Sequence, residues 1–113
     1  MSTIASTNTP TGNSKTFVAN WVGLAAGDEG APVQFAQYSD KSVQVAGTFD
    51  GATLVLEGSN NGTDWAVLTD AQGNPLNITS AKIELVAEAT WYVRPRVSGG
   101  TAPSLNVHLF MKE

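Results

Sequence analysis

The residues able to do acid-base or nucleophilic chemistry are few in this sequence and poorly placed for it. The only histidine, His108, lies in a predicted strand whose neighbours on the same face are Asn106 and Phe110, so no carboxylate stands at strand spacing to orient its ring. Cysteine is absent, which excludes a thiol nucleophile and a thiolate metal site. We therefore expect no enzymatic activity, no catalytic residue, no bound metal and no cofactor.

The aspartates are placed to shape turns. Asp28, Asp50, Asp64 and Asp70 fall in or beside segments rich in Gly, Pro and Asn, where an Asp side chain accepts hydrogen bonds from nearby backbone N–H groups. None belongs to the alternating oxygen ligands of a calcium loop, D-x-[DN]-x-[DN]-G. The sequence therefore predicts a structural use for these carboxylates.

The sequence allows two interpretations of the three tryptophans, Trp21, Trp65 and Trp91. Trp65 shares a predicted strand face with Val67, and Trp91 shares one with Val93, which favours packing in the core. The alternative is a platform on which the apolar face of a sugar stacks. The sequence favours the core and leaves the platform open.

A better candidate for a contact surface lies on the opposite face of the strand that contains Val93. Tyr92, Arg94 and Arg96 share that face, and Tyr and Arg are enriched at protein interfaces. Asn60 and Asn61, in a predicted turn, complete the set of candidate partner-binding residues.

Short β-prone segments separated by turn-forming residues must position these side chains. In the segment 104–112, Leu105, Val107, Leu109 and Met111 alternate with polar or exposed positions, as in a half-buried strand. Pro95 cannot donate to a strand ladder, so its segment is predicted to lie at a sheet edge or to carry a bulge. Eight such segments predict an all-β, antiparallel two-sheet β-sandwich, either jelly-roll-like or immunoglobulin-like. They cover residues 17–22, 33–38, 42–47, 53–58, 65–69, 82–86, 90–98 and 104–112.

Composition and length predict one domain preceded by an arm. Residues 1–16 are nearly all Ser, Thr, Asn, Gly and Pro and are expected to form a flexible N-terminal arm, while 17–113 form the single β-sandwich domain.

The net charge of −4 and the scattered Lys and Arg residues argue against nucleic acid as a partner. The start has no charged and apolar regions of an export signal, and no apolar run has the roughly 20 residues needed to cross a bilayer.

The most specific local motif is the hairpin sequence of residues 54–68, whose Asn61-Gly62 step favours a tight turn. Three patterns follow one another in the chain: GSN-x-G-x-x-W at 58–65, D-x-Q-G-N at 70–74 and Y-x-R-P at 92–95. With them, residues 45–110 resemble small virion structural proteins of tailed bacteriophages. The pattern S-x-x-G-x-x-W also resembles part of discoidin-type carbohydrate-binding domains.

The phage resemblance implies a capsid decoration or cement protein that binds and stabilises the outer head surface. Its expected partners are the major capsid protein and further copies of itself as a homo-oligomer. Its expected location is the virion surface, after synthesis in the cytoplasm of the bacterial host. The alternative is a carbohydrate-binding, lectin-like β-sandwich that binds a glycan.

Overall fold

The computed structural model describes residues 2–12, 15–34 and 37–113, and these fold into two packed β-sheets. Within the described residues there are eleven strands and no helix. The strands are β1 (Thr3–Ile4), β2 (Thr7–Pro10), β3 (Thr16–Leu24), β4 (Glu29–Gly30), β5 (Asp40–Thr48), β6 (Ala52–Ser59), β7 (Ala66–Val67), β8 (Asn77–Ile78), β9 (Lys82–Val86), β10 (Tyr92–Gly99) and β11 (Ser104–Lys112).

The strand order within the sheets is that of a jelly roll. The front sheet runs β1-β4-β10-β6-β7, with β8 also paired to β6, and the back sheet runs β2-β3-β11-β5-β9. Thus β3 pairs with β11, β4 with β10, β5 with β9, and β6 with β7, a nested pairing in which the chain crosses repeatedly between the sheets. The predicted all-β two-sheet sandwich is confirmed, and of its two forms this order selects the jelly roll. The pairing is antiparallel except between β1 and β4.

The core between the sheets is formed by the inward set of the alternating strands. Leu105, Val107, Leu109 and Met111 of β11 are fully buried, as their alternation predicts, and Trp21 of β3 lies beside them. The Trp21 indole Nε1 donates to the backbone oxygen of Ala31, at 3.0 Å, in the loop that follows front-sheet strand β4. Trp21 therefore connects the two sheets.

Pro95 lies inside the front sheet, so its predicted edge or bulge position is wrong. β10 is flanked by β4 and β6. The backbone nitrogens of Val93 and Val97 bond to Val33 and Asp28, so by strand alternation the nitrogen of Pro95 faces the same side. Strand β4 is only two residues long and ends at Gly30, which lies against the Pro95 ring. At this position the pairing of β4 with β10 therefore needs no backbone N–H from residue 95.

The strand predicted at 33–38 includes residues 35 and 36, which lie outside the described residues. In its described part, the strand pairing is a single β-bridge between Val33 and Val93. The segment predicted at 65–69 shortens to β7. Between β6 and β7 the chain forms a hairpin whose six-residue loop is longer than a tight turn around Asn61-Gly62, and only Gly62 has a positive φ.

The described part of residues 1–16 is paired to both sheets, which differs from the predicted flexible arm. Strand β1 joins the front sheet beside β4, and β2 joins the back sheet beside β3. The buried carboxylate of Asp28 accepts hydrogen bonds from the backbone nitrogens of Ser2 and Ala25. Composition missed this because the ordering comes mainly from backbone pairing and from long-range contacts of single side chains, among them the Asp28 carboxylate and Ile4, which packs against the core.

Two of the four aspartates predicted to shape turns, Asp28 and Asp70, accept hydrogen bonds from backbone nitrogens of their own turns. Besides Asp28, the Asp70 carboxylate accepts from the backbone nitrogens of Gln72 and Asn74, and Asp50 accepts from that of Ala102. Asp64 accepts from the Asn61 amide. The bonds of Asp50 and Asp64 differ from the prediction, because Ala102 lies 52 residues from Asp50 and the donor to Asp64 is a side-chain amide.

Glu88, just after β9, forms hydrogen bonds with Thr69, just after β7. Its carboxylate accepts hydrogen bonds from the Thr69 backbone nitrogen at 2.8 Å and from the Thr69 hydroxyl at 2.5 Å. Burial acts to raise the pKa of Glu88, but the hydrogen bonds from Thr69 and from its own backbone outweigh burial and lower the pKa below its usual 4.5.

We expect Glu88→Gln to lower the free energy of unfolding at neutral pH and to have no effect in acid. Because the folded pKa is depressed, the ionised group stabilises the fold fully above pH 4.5, and this contribution is lost as the pH falls through the folded pKa. Urea denaturation of both proteins between pH 7 and pH about 3 measures the difference. A gap that persists at the acid end would contradict the role given to the ionised carboxylate.

Lys41 is a buried lysine at one end of the sandwich. Its side chain points inward from β5 and the residue is only 4% exposed. Desolvation lowers the pKa of Lys41 below 10.5, and the neighbouring Asp40 opposes this only in part.

We expect Lys41→Met to stabilise the protein at pH 7 by about 0.5–2 kcal/mol, because it keeps the apolar stem and removes a desolvated charge. With a folded pKa below the unfolded one, wild-type stability rises with pH between the two values. The advantage of the variant should therefore shrink as the pH approaches 10.5. Urea denaturation at pH 7 and near that upper limit tests this, with the exposed Lys112→Met as control; an equal gain in both variants would contradict it.

Candidate functional site

The outer face of the front sheet gathers charged and aromatic side chains into one cluster. Strand β10 presents Tyr92, Arg94 and Arg96, and β6 presents Glu57 directly opposite Arg94. We call this group the front cluster; its members are Glu29, Glu57, Trp65, Tyr92, Arg94 and Arg96.

Ion pairs link the charged members. Arg94 contacts Glu57 through Nε at 3.1 Å and Glu29 through Nη1 at 3.2 Å. Arg96 contacts the second oxygen of Glu57 through Nε at 3.2 Å, so Glu57 joins both arginines. Two positive and two negative charges balance, and Glu57 itself is only 7% exposed. The cluster is held in a defined geometry and carries no net charge.

Trp65 covers the centre of the cluster. The guanidinium carbon of Arg94 lies 3.9 Å from the centre of the Trp65 ring, a cation–π contact, and the ring meets Tyr92 edge-on at 6.2 Å. Strand β6 is buried on both faces, although alternation predicts that one face is open. Trp65 therefore packs on the outside of the sheet, and its predicted place in the core is wrong.

The hairpin loop lies against the same face. The side chains of the two predicted asparagines form hydrogen bonds that hold the loop in place. The Asn61 side-chain oxygen accepts from the backbone nitrogens of Thr63 and Asp64, and Asn60 accepts from the backbone nitrogen of Trp91. At Gly62 a side chain would press on the Tyr92 ring, since a Cβ there would lie 3.2 Å from it. The loop is thereby fixed to the start of β10.

Trp91, beside the front cluster, is an aromatic residue that stays exposed to solvent. It precedes β10, is 49% exposed, and its ring lies 4.7 Å from that of Tyr92. Its predicted core position is wrong, because the strand begins one residue later and only Val93, Pro95 and Val97 point inward. Of the three tryptophans, Trp21 alone is in the core, as predicted.

The structure thus brings together all five residues predicted from the sequence: Tyr92, Arg94 and Arg96 on β10, and Asn60 and Asn61 on the adjoining loop. Glu29 and Glu57 were missed, because only strand pairing places them beside the arginines. The apolar neighbours of Glu57, Leu56 and Gly58, were a weak signal, since a lone acid in a buried strand needs a partner.

A second surface lies on the outer face of the back sheet and is apolar. Phe110, Ser42 and Leu85 stand side by side on β11, β5 and β9, and Ile83 follows on β9 in the next row. Phe110 is 38% exposed, Leu85 52% and Ile83 61%. Phe110 and Leu85 flank a shallow groove, which is lined by Asp40, Lys41, Ser42, Leu85, Phe110 and Lys112. We call this surface the back face.

His108 also lies on the outer side of the back sheet. Its Nδ1 is 2.6 Å from the side-chain oxygen of Asn20, whose amide donates to the Thr9 hydroxyl. The three side chains connect β11, β3 and β2.

Within residues 2–12, 15–34 and 37–113 no group of three or more His, Asp and Glu side chains is arranged to hold a metal ion. The same part of the chain contains no helix long and apolar enough to span a membrane.

No protein-family model and no curated protein matches this chain. Among solved structures, the SPBc2 prophage-derived protein YomS is similar with a TM-score of 0.66 at 8% identity, over 88% of this chain and 97% of that one. A cupin domain from Bordetella pertussis Tohama I has a TM-score of 0.49 at 16% identity, over 100% and 99% of the two chains. A sugar phosphate isomerase of the cupin superfamily from Silicibacter pomeroyi has a TM-score of 0.42 at 17% identity, over 90% and 54%.

These comparisons correct the expectation that the chain is not an enzyme. That expectation rested on the scarcity of acid-base and nucleophilic residues, yet the structures similar to this chain include a sugar phosphate isomerase. The scarcity of these residue types therefore did not justify excluding an activity. At the identities found, the similarity concerns the fold, and it assigns no reaction to this chain.

Proposed function

We propose that this chain is a structural protein of a tailed-phage virion that binds the outer head surface as a decoration protein. The observation that carries the proposal is the back face, where Ile83, Leu85 and Phe110 form an exposed apolar surface on the back sheet. Contiguous apolar patches of this kind mark surfaces that bind another protein. The fold likeness to a prophage-derived protein and the three sequence patterns shared with phage virion proteins support the phage setting.

In this proposal the major capsid protein covers the back face, and the front cluster faces away from the head. Many modest contacts repeated by the symmetry of the shell would together hold the shell more firmly than any one of them. The protein would be made in the host cytoplasm and added to the assembled head. The front cluster, with its internally balanced charges, keeps the exposed hairpin in place.

Co-sedimentation with heads that lack the protein tests the proposal. We expect the purified chain to sediment with such heads at micromolar concentration and to raise their temperature of disruption. The double variant Leu85→Ser/Phe110→Ser should lose binding while retaining its circular dichroism spectrum. Val67→Ser, a similarly exposed apolar position on the front sheet, is the matched control and should bind normally. Absence of sedimentation, or equal loss in both variants, would contradict the proposal.

A second candidate function is glycan binding at Trp91. The exposed Trp91 ring beside Tyr92 offers a flat apolar surface, with the polar Asn60 adjacent, which suits a sugar ring. On a glycan array, Trp91→Ala should then abolish binding while leaving the fold intact. Val22→Ala, an exposed apolar position on the back sheet, is the control. An array without signal for the wild-type protein would eliminate this candidate.

A further inference from the structure

The back sheet has an open edge at β9. Within the described residues, β9 pairs with β5 on one side and with no strand on the other. The other three sheet edges are protected: β1 and the β7/β8 side have strands of two residues, and β2 is a polar strand ending in a proline. Strand β9 is five residues long and carries two exposed apolar side chains, Ile83 and Leu85.

The backbone groups that face this edge belong to Ile83 and Leu85. The Ala87 nitrogen bonds to the Thr69 oxygen and so points away from β5. Because the direction of N–H and C=O groups alternates along an antiparallel strand, those of Leu85 and Ile83 also point away from β5. They stand two residues apart, which is the spacing of hydrogen-bonding residues in an antiparallel ladder.

From this edge we infer that β9 pairs with β9 of a second copy of this chain, around a twofold axis at Ile83. Ile83 then exchanges both backbone hydrogen bonds with its equivalent, and Lys82 of each copy lies opposite Glu84 of the other. These are opposite charges at directly paired positions, the favourable arrangement for a cross-strand pair. An axis at Glu84 sets two glutamates opposite each other, and an axis at Leu85 needs the Ala87 nitrogen, which already bonds to Thr69. Charge and backbone bonding together therefore favour the Ile83 register.

The charges on β9 also disfavour other partners. Charged side chains on an edge oppose pairing with any strand that lacks the complementary pattern. A second copy supplies that pattern, with Lys82 and Glu84 in the reverse order. The pairing joins the two back sheets into one continuous sheet and brings the two apolar back faces side by side. This inference stands independently of the proposed capsid role.

Charge reversal on the full-length chain tests the register. We expect wild-type protein to show a concentration-dependent dimer in sedimentation equilibrium. Lys82→Glu and Glu84→Lys should each weaken the dimer about tenfold or more, because each creates two like-charge pairs. The double variant Lys82→Glu/Glu84→Lys should restore it, and an equimolar mixture of the two single variants should form heterodimers. Lys112→Glu, elsewhere on the back sheet, is the control.

Several results would overturn the inference. Wild-type protein that stays monomeric at all concentrations, or a dimer indifferent to the charge reversals, would do so. A dimer strengthened by Glu84→Gln would indicate the Glu84 register instead. Amide hydrogen exchange of wild-type protein gives a second readout that needs no variant to fold: Ile83 and Leu85 should become protected as concentration rises, and unchanged exchange would also contradict the pairing.

Discussion

Replacing Glu57 by alanine is expected to lower the free energy of unfolding by about 2–3 kcal/mol. Glu57 is buried and contacts both Arg94 and Arg96, so its removal leaves two guanidinium groups without their shared counter-charge. Arg94 is mostly buried beneath Trp65, where an unpaired charge is costly. The estimate stays below the value for fully buried pairs, about 3–5 kcal/mol, because Arg96 is partly exposed and screened by solvent.

Urea denaturation at neutral pH measures this loss, and two further variants locate its cause. Glu29→Ala removes the more exposed carboxylate, which among the described residues forms an ion pair with Arg94 only, and should cost less than about 1 kcal/mol. Glu57→Gln keeps the shape and some hydrogen bonds and should fall between the two. A loss for Glu57→Ala no larger than for Glu29→Ala would mean that the front cluster does not stabilise the fold as described.

Trp21→Ala is expected to have the largest effect, a loss of about 3–5 kcal/mol, which is a large part of the stability of a domain this size. Trp21 is fully buried in β3 of the back sheet, and its indole bonds to the loop after β4 of the front sheet. Its ring also lies against Gly30, where an added Cβ would come within 2.6 Å of the indole. Truncation therefore leaves a cavity between the sheets and frees the Ala31 oxygen.

Far-UV circular dichroism in a urea series is the suitable measurement, because the substitution itself alters tryptophan fluorescence. Trp21→Phe retains most of the ring but loses the hydrogen bond, and we expect it to cost about 1–3 kcal/mol. Trp91→Ala, at the half-exposed tryptophan, should cost less than about 1 kcal/mol. Similar losses for Trp21→Ala and Trp91→Ala would contradict the burial that distinguishes them.

The candidate surface could be predicted in part. Tyr92, Arg94 and Arg96 were placed on one face because side chains two residues apart on a strand point the same way. The same rule misplaced Trp91, because it cannot say that β10 starts at Tyr92. Glu57 lies 37 residues from Arg94 in the chain, and only the pairing of β6 with β10 brings them together.

The sequence by itself determined the class of fold and the inward set of each main strand, because alternation and turn residues act over a few neighbouring positions. Only the tertiary structure decided the jelly-roll order, the pairing of the N-terminal residues, the ion pairs of the front cluster and the open edge at β9. Each of these depends on which distant segments become neighbours. That choice follows from how all the strands pack and pair at once, and no local pattern encodes it.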